Sequence, residues 1–232
     1  MGIELVVFDM AGTTVYDGDM VNVCLREAVT AAGFEVSRDE INAVMGITKP
    51  VAIRMLLEQR SENPTTVAQA QVETVYADFL TRMVRHYETS PEVREVEGAA
   101  DTFRLLREAG VKVALDTGFS RQIVTVLLNR LGWQRDSLID ASVAGDEVTQ
   151  GRPYPDMIFR AMELTGIRDA GRVAKVGDTP ADLQEGSAAG CSLVIGMTGG
   201  SHTREELLPH PHTHLLDHLT DVWKLVLAES QG

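Results

Sequence analysis

The chain has 232 residues, 44% of them hydrophobic and 24% charged, a globular composition that excludes wholesale disorder. Against 21 Lys and Arg stand 34 Asp and Glu, a formal net charge of −13. That balance argues against nucleic acid and against an anionic membrane as partners, because phosphate surfaces are bound by excess Lys and Arg. Cys24 and Cys191 are too few for a disulfide framework and read as reduced thiols. The N-terminus lacks the basic start of a signal peptide, and no stretch approaches the ~20 apolar residues of a membrane helix. A cytoplasmic location is therefore expected.

In chain order, the first predicted element is a strand. Leu5-Val6-Val7-Phe8 is a continuous, β-branched-rich run of the kind buried on both faces of a sheet. Residues 17–92 then contain no convincing strand. Val21, Leu25, Ala28, Val29 and Ala32 recur at helical spacing and stop at Gly33, and Ser37 with Glu40 has the spacing of a capping box. Val72, Val75, Tyr76, Phe79, Leu80, Met83, Val84 and Tyr87 make a long apolar stripe at steps of three and four. It would fill the core of this block, and any exposed part of it would offer a homodimer contact.

After Ser90-Pro91 the rhythm changes. Strand runs at Val111–Leu115, Ala141–Ala144, Val173–Val176, Ser192–Ile195 and His214–Leu216 alternate with helical patterns. Those patterns, at Asp101–Ala109, Arg121–Leu131, Pro155–Thr165 and Ala181–Ala189, each run into a glycine, which accepts the left-handed stop. Such alternation means a parallel sheet with helices on both faces. The fold class is α/β: a parallel-sheet core over 1–16 and 93–232, with an inserted all-helical cap domain over 17–92.

Chemistry collects at the strand ends, where ligands sit in open α/β sheets. The first strand ends in Asp9, placed to act as nucleophile or metal ligand, and Gly12 lets the following backbone turn tightly. Thr13 and Thr14 read as turn residues that satisfy backbone groups. Gly177-Asp178-Thr179-Pro180-Ala181-Asp182 puts two acids four residues apart behind another buried strand. Asp178 would share a hard cation with Asp9, and oxygen-only ligands suit Mg²⁺. Asp182 falls in the first turn of the next helix, where a negative side chain is favoured and can also cap.

A third tip reads Asp116-Thr117-Gly118, with Ser120 as the helix N-cap. A hydroxyl and free backbone N–H groups there would cradle an anion. Arg152, in Gly151-Arg152-Pro153, supplies a fixed positive charge whose fork matches phosphoryl oxygens. His202, His210, His212, His214 and His218 read as surface residues rather than a zinc set, since no Cys lies nearby to complete one.

A strand ending in Asp-x-x-Gly-Thr-Thr, a strand-tip Thr, a basic residue before a helix and Gly-Asp-Thr-x-x-Asp, in that order, resemble the haloacid dehalogenase-like hydrolase superfamily. The match spans nearly the whole chain. It implies a Rossmann-like core, a helical cap after the first strand, Mg²⁺ and an aspartyl-phosphate intermediate. By the same resemblance Asp9 would be the nucleophile, and Thr117, Gly118 and Arg152 would hold the phosphoryl group. Mg²⁺ would bind Asp9, the Ala11 carbonyl and Asp178, with Asp182 outside them.

Most phosphatases of this superfamily carry a second Asp two residues after the nucleophile, which protonates the leaving oxygen. Here that place is Ala11, and general acid catalysis is worth about 10²–10⁴-fold. The phosphonoacetaldehyde hydrolase branch lacks that Asp and uses a cap lysine instead. Met45-Gly46-Ile47-Thr48-Lys49, with Arg54, resembles that branch, as do Gly-Arg-Pro-Tyr-Pro around Arg152 and Lys175-Val-Gly-Asp-Thr. The likeness implies that Met45 lines the substrate pocket and that Lys49 forms an imine with an aldehyde beside phosphorus. A protonated imine accepts the electron pair that direct P–C cleavage would leave as a carbanion. Burial under the cap, and a helix starting at Pro50, would lower the Lys49 pKa so that the amine can attack.

Two positions depart from the branch: Ala52 stands where it usually has His, and Met10 where it usually has Trp. The expected substrate is a small phosphonate, phosphonoacetaldehyde or a close analogue. The alternative is a small phosphate monoester, with water or a cap residue replacing the missing acid.

Overall fold

The computed structural model describes residues 2–60 and 67–229. Strands β1 (Leu5–Asp9), β2 (Lys112–Thr117), β3 (Ala141–Ala144), β4 (Val173–Gly177), β5 (Leu193–Met197) and β6 (His214–Leu216) form one sheet. Every pairing is parallel and the order is β3-β2-β1-β4-β5-β6. The central strands read as unbroken apolar runs because helices cover both faces. Val6 and Phe8 join a cluster with Phe103, Ile123, Trp133 and Val222, while Leu5 and Val7 join another with Met157, Ile158 and Val173.

Between β1 and β2 lie α1 (Met20–Ala31), α2 (Arg38–Asn42), α3 (Lys49–Arg60) and α4 (Gln69–Thr89), with no strand among the described residues there. The expected capping box at Ser37 and Glu40 is present. Ala32 falls just past α1 and is exposed, so the apolar stripe of that helix ends at Val29. On α4, Val72, Val75, Phe79, Met83 and Tyr87 are buried, and Tyr76, Leu80 and Val84 pack partly buried against the same core. Val15 and Glu95 form an antiparallel bridge that pairs the chain's exit from the sheet with its return.

The remaining helices are α5 (Ala99–Glu108), α6 (Arg121–Leu131), α7 (Asp156–Thr165), α8 (Pro180–Ala189), α9 (Arg204–Leu207) and α10 (Thr220–Glu229). The first strand is central, with β2 on one side and β4 on the other, so the strand order reverses beside it. Such a reversal opens a crevice at the carboxyl ends of the strands, and ligands bind there. Asp9 closes β1, and Asp178 follows directly on β4, so this crevice holds both. No described helix is long and apolar enough to cross a membrane.

Candidate active site

The turn after β1 is fastened by its own backbone. The Thr13, Thr14 and Val15 N–H groups all donate to the Met10 carbonyl, and the Gly12 N–H donates to Val15 O at 2.9 Å. Gly12 has φ 90°, and a Cβ on it would fall 2.3 Å from Asp178 Oδ2; one on Gly200 would fall 2.2 Å from the same oxygen. Two glycines thus let the backbone close around one carboxylate. Asp178 accepts from Thr13 Oγ1 at 3.1 Å, from Ser201 N at 2.6 Å and from Ser201 Oγ at 2.5 Å. Thr14 satisfies backbone as expected, donating to Asp9 O at 2.8 Å. Thr13 does not: its hydroxyl donates to the Asp178 carboxylate, a negative acceptor, instead of to backbone.

Asp9, Asp178 and Asp182 are buried, and one oxygen of each lies within 4.8 Å of the others. Asp182 is tied by the capping box of α8, accepting from Thr179 N at 3.1 Å and from Thr179 Oγ1 at 2.5 Å. Its other oxygen has no hydrogen bond, although Arg152 Nη1 and Lys175 Nζ lie 3.1 and 3.2 Å away. Burial raises the Asp9 pKa well above the usual carboxylate range; Arg152 opposes this, and Asp182 and Asp178 add to it. Asp178 is raised for the same first reason, while Arg152 and Lys175 outweigh burial at Asp182 and lower it. Buried acids facing one another in this way are the setting a hard cation stabilises. The oxygen-only set fits Mg²⁺, and Ala11 lines the same cavity. Neither acidic group capable of holding a metal, among the described residues, includes a histidine.

Arg152 is almost wholly buried. It donates through Nη1 to Asp9 at 2.7 Å, through Nε to Glu185 at 2.9 Å and through Nη2 to the Asp116 carbonyl at 3.2 Å, and it also pairs with the Asp116 carboxylate. Lys175 pairs with Asp116, with Glu185 at 3.1 Å and with Asp182 at 3.2 Å. Asp116 and Glu185 were not singled out as functional from the sequence, and Lys175 only as a likeness. For Asp116 and Lys175 the signal lay in charged residues within buried strands, since charges are almost never fully buried unless paired; Glu185, on α8, carried no such mark.

A cavity of about 220 Å³ opens over these groups. Asp9, Ala11, Thr117, Gly118 and Arg152 line it from the sheet side, and Met45, Gly46 and Lys49 from the helical segment. Lys49 is itself the first residue of α3, one position earlier than the Pro50 start expected, and is 3% exposed. Its ammonium lies 3.3 Å from the Ile47 carbonyl and 5.8 Å from the centroid of the Phe119 ring. Burial lowers its pKa to about 8; Asp9 and Asp17 push it back up, and Arg152 acts with burial. Met10 and Ala52, the two departures, are fully buried and do not line the cavity. Arg54 points elsewhere, bonding the Val67 carbonyl at 3.3 Å and pairing with Glu58 at 3.7 Å.

The anion cradle at the start of α6 is smaller than expected. Ser120 is the N-cap residue, but its side chain makes no cap hydrogen bond. The Arg121 N–H is taken by Asp146 at 2.8 Å, and the Phe119 N–H by Thr117 Oγ1 at 3.3 Å. Gly118 lines the cavity and has a second office: a Cβ there would meet the Ile47 and Gly46 carbonyls at 2.8 and 3.0 Å.

Known proteins bear on this geometry. The profile of the haloacid dehalogenase-like hydrolases matches residues 6–195. A phosphonoacetaldehyde hydrolase from Lysinibacillus sphaericus is 33% identical over 90% of this chain and 81% of its own. A phosphonoacetaldehyde hydrolase-like protein from Oleispira antarctica superposes with a TM-score of 0.86 at 20% identity, over 100% of this chain and 94% of its own. CbbY from Rhodobacter sphaeroides, solved in complex with phosphate, does so at 0.74 and 22% identity, over 95% and 96%. The parallel sheet of six strands, the acids at its switch point and a match across most of the sequence agree: this chain belongs to the haloacid dehalogenase-like hydrolases, and it is a hydrolase.

Proposed function

We propose that the chain is a Mg²⁺-dependent hydrolase that cleaves the P–C bond of phosphonoacetaldehyde or a close 2-oxoalkylphosphonate. The observation that carries this reading is Lys49: a buried lysine held near pKa 8 in the cavity that Asp9 and Arg152 share, with Ala11 where an oxygen leaving group would need an acid. An amine with that pKa is neutral often enough near physiological pH to add to a carbonyl.

In this mechanism the Lys49 nitrogen attacks the aldehyde carbon and, with loss of water, gives a protonated imine. A carboxylate oxygen of Asp9 attacks phosphorus. The P–C bond breaks and its electron pair moves through the new C–C double bond to the iminium nitrogen, leaving an enamine. Water hydrolyses the acyl phosphate on Asp9, and the enamine gains a proton and is hydrolysed, freeing acetaldehyde. Arg152 exchanges part of its carboxylate contact for phosphoryl oxygens, where its fork gives two parallel bonds. Thr117 and Gly118 bound the phosphoryl end, and Met45 the aldehyde end. Asp9, Asp178 and the Ala11 carbonyl, with Asp182 near them, would hold Mg²⁺, which would supply charge neutralisation between the nucleophile and the phosphoryl group. Residues 17–92 serve as the cap that excludes water from the imine.

The test is a head-to-head assay of phosphonoacetaldehyde against simple phosphate monoesters, with borohydride added to the aldehyde reaction. A reduced adduct on Lys49 is expected by mass spectrometry, and Lys49→Arg should lose it together with at least about 10²-fold of activity. Turnover of phosphate esters with no adduct would make the protein a phosphomonoesterase instead.

A further inference from the structure

Imine formation needs a proton as well as an amine. Once Lys49 has added to the carbonyl, the hydroxyl of the adduct must leave as water. Ala11 stands where a second acid would follow the nucleophile, and its methyl group carries no acidic proton, so the donor must come from elsewhere in the cavity.

Asp9, Asp17 and Asp19 are the carboxylates lining it among the described residues. Asp9 faces Arg152 at 2.7 Å and is the nucleophile of the reaction proposed above, and Asp19 is paired with Arg38 at 2.9 Å, so each already has a cation partner. Asp17 has no cation within salt-bridge distance among the described residues. Its two oxygens accept the Val21 N–H at 3.2 and 3.3 Å, which holds the carboxyl at the start of α1, on the same cavity wall system as Lys49.

We propose that Asp17 is the general acid of the lysine chemistry, a reading that rests on the function proposed above. As the neutral acid it gives its proton to the hydroxyl of the Lys49 adduct. The C–O bond breaks, water departs, the nitrogen lone pair becomes the second C–N bond, and Asp17 is left as carboxylate to be reprotonated from water. The surroundings favour that cycle. Burial raises the Asp17 pKa to about 7; Asp178 and Asp19 act in the same direction, the Val21 N–H and Lys49 in the opposite one. The Cys24 thiol of α1 and the Tyr87 hydroxyl of α4 also face its charge, and burial holds both neutral.

The required states fix the shape of the pH profile. Lys49 must be neutral, so the rate rises with pH through about 8, and Asp17 must be protonated, so the rate falls above about 7. Together they give a bell. Asp17→Asn keeps an acceptor for the Val21 N–H but carries no acidic proton, so it separates the helix cap from the acid.

The experiment measures the rate of the borohydride-trapped Lys49 adduct with phosphonoacetaldehyde from about pH 6 to about pH 9, in wild type, Asp17→Asn and Asp17→Glu. Asp17→Asn should trap about 10²-fold more slowly, keep the rise carried by Lys49 and lose the alkaline fall. Asp17→Glu, which keeps a proton, should recover a large part of the rate. Trapping by Asp17→Asn within about twofold of wild type overturns the proposal, as does a Glu variant no faster than the Asn variant. Absence of any adduct in wild type overturns the parent reading, and this one with it.

Discussion

Arg152 and Lys175 sit among carboxylates that outnumber them: Asp9, Asp116, Asp182 and Glu185 surround the two cations, all of them buried. Arg152 is the member that reaches the cavity, while Lys175 is wholly enclosed. Lys175 therefore compensates the acids that Arg152 also faces, Asp116, Asp182 and Glu185, from inside the fold. Replacing it with Met leaves those acids without half their positive partners. Removing one side of a buried pair costs about 3–5 kcal/mol, so Lys175→Met should lower the unfolding free energy by that order in a urea titration. A loss under about 1 kcal/mol would show that water already compensates the cluster. Burial pushes the Glu185 pKa up to about 8, with Asp116 adding to it, while Lys175 and Arg152 pull it back. None of this network was legible in spacing. The sequence showed Asp116 at a strand tip and Lys175 inside a strand run, but the partners lie on other elements, up to 143 residues apart for Asp9 and Arg152.

The elements themselves were more legible than their couplings. Arg121–Leu131 and Ala141–Ala144 match the pattern residue for residue, because a glycine stop or an abrupt change of period marks each end. Thr48 shows what local reading misses. Its methyl lies where a Cβ on Gly145 or Gly151 would be, at 2.6 and 2.4 Å, and Gly118 admits the carbonyls of Gly46 and Ile47. Glycines from two connections at the carboxyl ends of the strands, Gly118 after β2 and Gly145 and Gly151 after β3, thus form a seat for the loop before α3, and Lys49 follows that loop directly. Nothing in the sequence around Gly118, Gly145 or Gly151 announces a shared neighbour. A methyl at Gly118 would press on backbone, which yields less than a side chain, so Gly118→Ala should displace the loop. The expected result is a raised KM and a lower yield of trapped Lys49 at equal substrate, with a stability loss of about 1–3 kcal/mol, the usual range for overpacking. Unchanged trapping would mean that the loop accommodates the methyl without moving Lys49.

At the scale of the whole molecule, a chain with formal charge −13 gathers acids at one end of its sheet. Folding brings Asp9, Asp178 and Asp182 together with Arg152 and Lys175 as the nearby cations, and places Lys49 on the same cavity as Asp9 and Arg152. A divalent cation seated there would offset repulsion that the folded state alone carries, because the unfolded chain holds these carboxylates apart in water. Binding only to the native state stabilises by RT ln(1 + [L]/Kd), about 2.7 kcal/mol at a hundred times Kd. For a chain of this size that is a rise in Tm of about 5–10 °C. Screening of the global charge by any salt would also stabilise, so the comparison must be made against NaCl at equal ionic strength. MgCl₂ is expected to raise Tm beyond that control, and Asp178→Asn should remove the excess while leaving the salt response in place. Equal shifts from the two salts, or an undiminished Mg²⁺ effect in Asp178→Asn, would move the cation away from the end of β1.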